Sequence, residues 1–255
     1  MKKFLKCSLF FGFVLLLAGF SSSGINPNGG VLNPKGIIAS QERRLLIDSV
    51  LFMLIVVVPV IILSFAFAWK YRRKNKKSMY APGWSHSVLL ESIWWAVPCL
   101  IIIILSILAW KSSHKLDPYR TIPGKGKSMV IQAVSLQWKW LFIYPKENIA
   151  TVNYIEIPKD REVEFQITSD APMNAFFIPQ LGSQIYSMAG MRTRLHIIGN
   201  SYGMYKGFSA NYSGDGFSDM NFKVKVTSDK GFKNWVNKVK QSKSKLYIPE
   251  YKILV

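Results

Sequence analysis

Two long uninterrupted apolar runs dominate the first half of the chain, and short alternating runs fill the second. Leu45 to Trp69 is 25 residues long with Asp48 as its one charged residue, near the start. At about 1.5 Å per residue such a run crosses the hydrocarbon of a membrane with some tilt. Val88 to Trp110 makes a second run of 23 residues, with Glu91 near its start. Pro59 and Pro98 lie inside the two runs and are expected to kink them. From Met129 the period changes to that of β-strands. Strands are predicted at Met129–Val134, Trp138–Tyr144, Tyr154–Ile157, Glu162–Ser169, Phe176–Pro179, Thr193–Ile198 and Asn221–Thr227, with Pro and Gly between them. That density suggests a Greek-key sandwich. Lys230 to Gln241 then places Phe232, Trp235, Val236 and Val239 on one stripe of an amphipathic helix.

The pattern divides the chain into five stretches. Residues 1–23 read as a signal peptide or a retained N-terminal apolar segment. Lys2, Lys3 and Lys6 precede a short apolar core, and Phe20 stands where a lipoprotein would need its lipid-bearing cysteine. Residues 24–44 form a lead-in whose Asn, Pro and Gly content predicts irregular backbone up to Gly36. A transmembrane hairpin covers 45–110, a β-domain 111–229, and a terminal helix with a basic tail 230–255.

Charge changes this picture only where it is concentrated. The formal net charge is +19, which in a soluble chain would invite a nucleic-acid reading. Yet Lys70, Arg72, Arg73, Lys74, Lys76 and Lys77 crowd the connection between the two apolar runs. By the positive-inside rule that loop, 70–87, is cytoplasmic, which puts the lead-in and the β-domain outside. No aromatic-basic recognition motif is present, so nucleic acid is not an expected partner; membrane lipid is. Trp69, Trp94, Trp95 and Trp110 sit toward the ends of the spans, as interfacial indoles do. The only cysteines, Cys7 and Cys99, lie in apolar segments, so the outer domain has no disulfide.

Glu91 is a carboxylate near the cytoplasmic end of a span, where an ionisable group is either functional or snorkels into the headgroups. Asp48, at the other face of the membrane, has Arg43 and Arg44 as possible partners, or a neighbouring chain. His196 reads as a structural strand histidine.

Several local sequences carry a resemblance. Asn33-Pro34-Lys35-Gly36, Trp84-Ser85-His86-Ser87, the run from Gln137 to Pro145, Met173 to Pro179, Gly182 to Tyr186 and Met188 to Met191 resemble subunit II of heme-copper terminal oxidases, in the cytochrome bo-type ubiquinol oxidase branch. The resemblance spans Val31 to about Trp235. It implies a cupredoxin-like sandwich in the periplasm behind a two-helix anchor in the bacterial inner membrane. It also implies a proton-pumping complex that oxidises ubiquinol and reduces oxygen to water, with subunits I, III and IV as partners. The hemes, the copper and the principal quinol site would lie in subunit I, and this chain would hold no cofactor.

In members of the wider family that oxidise cytochrome c, the sandwich holds two coppers by a His, a Cys-x3-Cys pair, a Glu carbonyl, a second His and a Met. The resemblance places these at Asn174, Phe208, Tyr212, Ala210, Gly216 and Met220 or its neighbour Asp219. No thiolate or imidazole stands among them, and copper needs such donors. The resemblance further implies a proton-entry role for Glu91, within Leu89–Trp95. Trp138 and Trp140 match an aromatic strand that leads electrons to copper in the copper-bearing relatives; without copper they become candidates for contact with subunit I. Two other readings share some of these features, a cytochrome c oxidase subunit and a free-standing membrane-anchored cupredoxin-like module.

Overall fold

The computed structural model describes residues 30–254, apart from 77, 80–82 and 84. The predicted N-terminal apolar segment therefore lies outside the described residues. The chain divides into two compact units, one joining the residues up to Glu42 with those from Thr121 onward, the other running from Arg43 to Arg120.

The Arg43–Arg120 unit contains most of helix α1 (Ile37–Lys70) and the whole of helix α2 (Val88–Lys115). Both are long and apolar enough to cross a membrane. Their leucines, isoleucines and valines are exposed almost throughout, and Ala39 is the one buried residue in α1. Side chains of that kind demand a covering that is not water. Helix α1 begins eight residues before the predicted Leu45, although Ile37–Arg44 is largely polar. A tertiary contact explains the difference: the Lys35 and Gly36 amides both donate to Gln180 O at 2.7 and 3.1 Å. At Gly36 a Cβ would fall 2.4 Å from Leu181 O, so only glycine fits there. Helix α2 outruns its apolar segment through Lys115, its polar Ser112 and Ser113 bonding back to Ala109 O.

The other unit is a sandwich of two five-stranded sheets. The first has the order β3-β2-β1-β5-β8, with β1 Met129–Leu136, β2 Lys139–Tyr144, β3 Ile149–Val152, β5 Glu162–Ser169 and β8 Thr193–Ile198. The second has the order β4-β10-β9-β6-β7, with β4 Tyr154–Pro158, β6 Asn174–Ile178, β7 Gly182–Ser187, β9 Gly203–Ser209 and β10 Asn221–Thr227. Each sheet contains one parallel pair, β1 with β5 and β4 with β10, which a plain meander cannot produce.

Alternate residues of each strand meet in one core. Phe176 and Phe222 stack at 5.0 Å, and Trp140 closes on Phe176 edge-on at 5.3 Å. Helix α3 (Asp229–Lys240) seals one end with Phe232 and Val236, and Trp235 lies on Tyr144 at 5.4 Å. Its start is capped by Ser228 Oγ, which accepts from Gly231 N at 3.1 Å. A last short helix, α4 (Ile248–Leu254), is tied to the β5–β6 loop by Tyr251 Oη, which donates to Asp170 Oδ2 at 2.6 Å.

Three strands, β3, β7 and β9, escape the sequence pattern. Strands β3 and β7 are edges, where one side needs no apolar face. Strand β9 is internal but carries Gly203 and Gly207; the Phe222 ring occupies the space a Cβ at Gly207 would need, 2.1 Å away. The side chain missing from β9 is thus supplied by its neighbour.

Candidate functional site

The candidate site is the end of the sandwich where β6 begins and β9 finishes. Pairing aligns Phe176 with Ser209 and Phe177 with Phe208. Because successive side chains alternate faces, Asn174, Phe176 and Ser209 turn inward while Phe177 and Phe208 turn outward. Asn174 and Ser209 are both buried, and Ser209 Oγ donates to Asn174 Oδ1 at 2.8 Å. Asn174 Nδ2 donates to Pro172 O at 2.9 Å. Phe208 instead meets Phe177 edge-on at 5.5 Å on the opposite face.

This geometry corrects the expected alignment of the copper-loop positions by one residue. Phe208 cannot face Asn174, since the pleat sends them to opposite sides. The same spacing moved by one residue gives Ser209, Ser213, Phe217 and Met220; of these Ser209 bonds to Asn174 and Met220 is wholly buried in the core. Of the positions expected from sequence, Asn174 and Met220 lie inside. Tyr212 is 74% exposed and touches only Phe217 edge-on among ring contacts. Ala210 is exposed, its amide donating to Ala175 O.

Trp138 closes the loop. Its backbone sits in the left-handed region at φ 54° in the turn between β1 and β2. There its indole lies across the loop and Nε1 donates to Ser213 O at 3.2 Å. A Cβ at Gly216 would come within 2.3 Å of the indole ring, and one at Gly214 within 3.3 Å. Any side chain at Gly216, an imidazole included, collides with Trp138 as it stands. The amide, hydroxyls, phenyl ring and thioether gathered here supply no anionic sulfur and no imidazole, so the donor set does not fit a dinuclear copper centre. Among the described residues no three of His, Cys, Asp and Glu stand together.

Trp140 is wholly buried, with its ring against Phe176 and Phe222. A side chain with no exposed surface offers nothing to a partner, so its expected interface role is corrected to core packing. His196 is likewise structural: its Nδ1 lies 2.8 Å from Glu162 Oε1, which also accepts from Ile122 N at 2.7 Å. Glu91 stands exposed in the first turn of α2, where the amino end of the helix favours a carboxylate. Asp48 is half-buried on α1.

Two other polar groupings brace the sandwich. Tyr154 Oη donates to Glu156 Oε1 at 2.5 Å, and Lys225 Nζ reaches the same oxygen at 3.2 Å. Burial, then the Glu156 hydrogen bond, pushes the Tyr154 phenol well above its ordinary range. Asp160 is held below the usual carboxylate range, first by the Asn200 amide and then by Lys125.

No family model matches the chain. It is 58% identical over 225 residues to cytochrome bo(3) ubiquinol oxidase subunit 2 of Pseudomonas aeruginosa, covering 88% of this chain and 68% of that protein. The subunit of the same name from Pseudomonas putida is 50% identical over 244 residues, covering 96% and 77%. Ubiquinol oxidase subunit 2 of Acetobacter aceti is 47% identical over 218 residues, covering 85% and 71%. Among solved structures, the periplasmic domain of subunit II of cytochrome oxidase (CoxB) of Bradyrhizobium japonicum aligns with 48% of this chain and 98% of its own at 21% identity, with a TM-score of 0.45. Two apolar helices, a β-sandwich with the parallel pairs described, and identity near half or above over most of three relatives point the same way. The chain belongs to the subunit 2 family of quinol oxidases, in its cytochrome bo(3) ubiquinol oxidase branch.

Proposed function

We propose that this chain serves as the non-catalytic subunit II of a proton-pumping oxidase that couples ubiquinol oxidation to the reduction of oxygen to water. The observation that carries the proposal is the end of the sandwich. Asn174 and Ser209 bond to each other, and the Trp138 indole lies across the loop, against Gly216 and bonded to Ser213 O. With soft donors absent from these positions, electrons have no metal port here and enter from a membrane quinol elsewhere in the complex. The hemes and copper then belong to subunit I, and subunits I, III and IV are the partners that cover the exposed helix surfaces together with lipid. The basic loop after α1 is on the cytoplasmic side of the bacterial inner membrane, and the sandwich is in the periplasm.

In this reading Glu91 admits protons to subunit I. An exposed carboxylate in the first turn of α2 is placed to exchange with cytoplasmic water. Asp48 and Trp138 contact subunit I. The loop Met188–Met191 is a further candidate to cap it, whereas Phe176 to Ile178 belong to strand β6, with Phe176 and Ile178 buried in the core.

Purification of the membrane complex in mild detergent tests this. The expected result is a heme-bearing large subunit that travels with this chain, ubiquinol-driven oxygen consumption, and none driven by reduced cytochrome c. Stoichiometric copper bound to the isolated chain, or cytochrome c oxidation by the complex, overturns it.

A further inference from the structure

The outer face of the second sheet carries a charge arrangement that the sandwich itself does not explain. Its five strands, β4, β10, β9, β6 and β7, hold three lysines, Lys206, Lys223 and Lys225, and a single carboxylate, Glu156. Glu156 is already taken: Lys225 Nζ and Tyr154 Oη both meet its Oε1. Lys206 on β9 and Lys223 on β10 are aligned directly opposite each other, both exposed. Neither forms an ion pair among the described residues. Like charges in direct cross-strand register oppose folding. The first sheet behaves in the opposite way, with Arg194 on β8 set 4.0 Å from Glu164 on β5.

Around the lysine pair the same face is apolar. Met204 is 53% exposed beside Lys225, and Phe208 lies next in register to Lys206, edge-on against Phe177. The two phenyl rings are half-buried against each other. The patch lies on paired internal strands and not on an amphipathic helix that could lie in a headgroup layer; cations beside an apolar strip suit an acidic folded protein surface. A second copy of this chain would bring the same two lysines against themselves, so charge excludes it.

We infer that the Lys206–Lys223 face is a docking surface for an acidic protein partner, whose carboxylates neutralise the lysine pair while its apolar centre covers Met204, Phe208 and Phe177. This surface does not rest on the quinol reading: it uses no membrane helix, and Phe208 and Phe177 lie on the outer side of their strands, away from the inward-facing Asn174 and Ser209.

The test uses the full chain in uncharged detergent and a glutamate-rich, leucine-containing peptide as probe, read by fluorescence anisotropy. Lys206→Gln/Lys223→Gln is expected to weaken binding at least about fivefold, as expected for two exposed charges. The charge-matched control Lys230→Gln/Lys233→Gln on α3 is expected to leave it unchanged. Without the probe, the first variant is expected to raise Tm by removing the repulsion, and the probe to raise Tm of the parent chain alone. Equal loss in both variants, no loss in either, or a free-chain Tm that does not rise overturns the inference. Tighter binding of the parent chain to phosphatidylglycerol vesicles, lost with the same two lysines, overturns it in favour of a lipid surface.

Discussion

Trp138 and Gly216 show how much one pair of residues decides at the end of the sandwich. The indole lies where a Cβ at Gly216 would be, 2.3 Å from its ring, so the loop keeps its shape only with glycine there. Gly216→Ala is expected to lower stability by roughly 1–3 kcal/mol, the usual cost of overfilling a packed site. Trp138→Ala in the same chain should return part of it, since the collision goes; thermal unfolding of the single and double variants reads this. Trp140, by contrast, is a core residue, and Trp140→Ala is expected to cost roughly 3–5 kcal/mol. At the proposed proton-entry position, Glu91→Gln is expected to slow proton-coupled turnover while the complex assembles with its normal heme spectrum. Unchanged turnover in a fully assembled variant removes the proton-entry role.

At the scale of elements, helix α3 and the short α4 hold to the sandwich in different ways. Helix α3 buries Phe232 and Val236 and is capped by Ser228, so it belongs to the folding core. Ser228→Ala should cost about 1 kcal/mol through the lost cap, measured by denaturant unfolding. Helix α4 relies on the Tyr251–Asp170 hydrogen bond. Burial first, then that bond and the Asp170 charge, push the Tyr251 phenol from 10.0 to about 12. A phenol raised on folding stabilises the attached form fully below the unfolded value, and the contribution is lost as pH rises through the folded one. Release of α4 is therefore expected between pH 10 and about 12, visible as faster proteolysis of the tail, and Tyr251→Phe should abolish that pH dependence.

For the whole molecule, the decisive fact is the exposure of two helices long and apolar enough to cross a membrane. In the proposed complex lipid covers part of that surface and partner subunits the rest, so the chain's apparent stability is expected to depend on its partners. Expressed alone it should aggregate or demand detergent, and co-expression with the large subunit should raise its yield and its Tm; equal behaviour with and without partners speaks for a free-standing module.

The sequence by itself determined the elements whose pattern is local. Runs of leucine and isoleucine marked the membrane helices, β5, β8 and β10 coincide with their predicted bounds, and the stripe from Phe232 to Val239 marked α3 to within a residue. Tertiary structure alone decided the rest, because its causes lie far apart in the chain. Helix α1 starts at Ile37 because Gln180 receives two amides ahead of it, and β9 survives its glycines because Phe222 covers one of them. Likewise the site register moves from Phe208 to Ser209 because pairing with β6 fixes which face each residue of β9 presents, and a shift of one residue reverses every side chain.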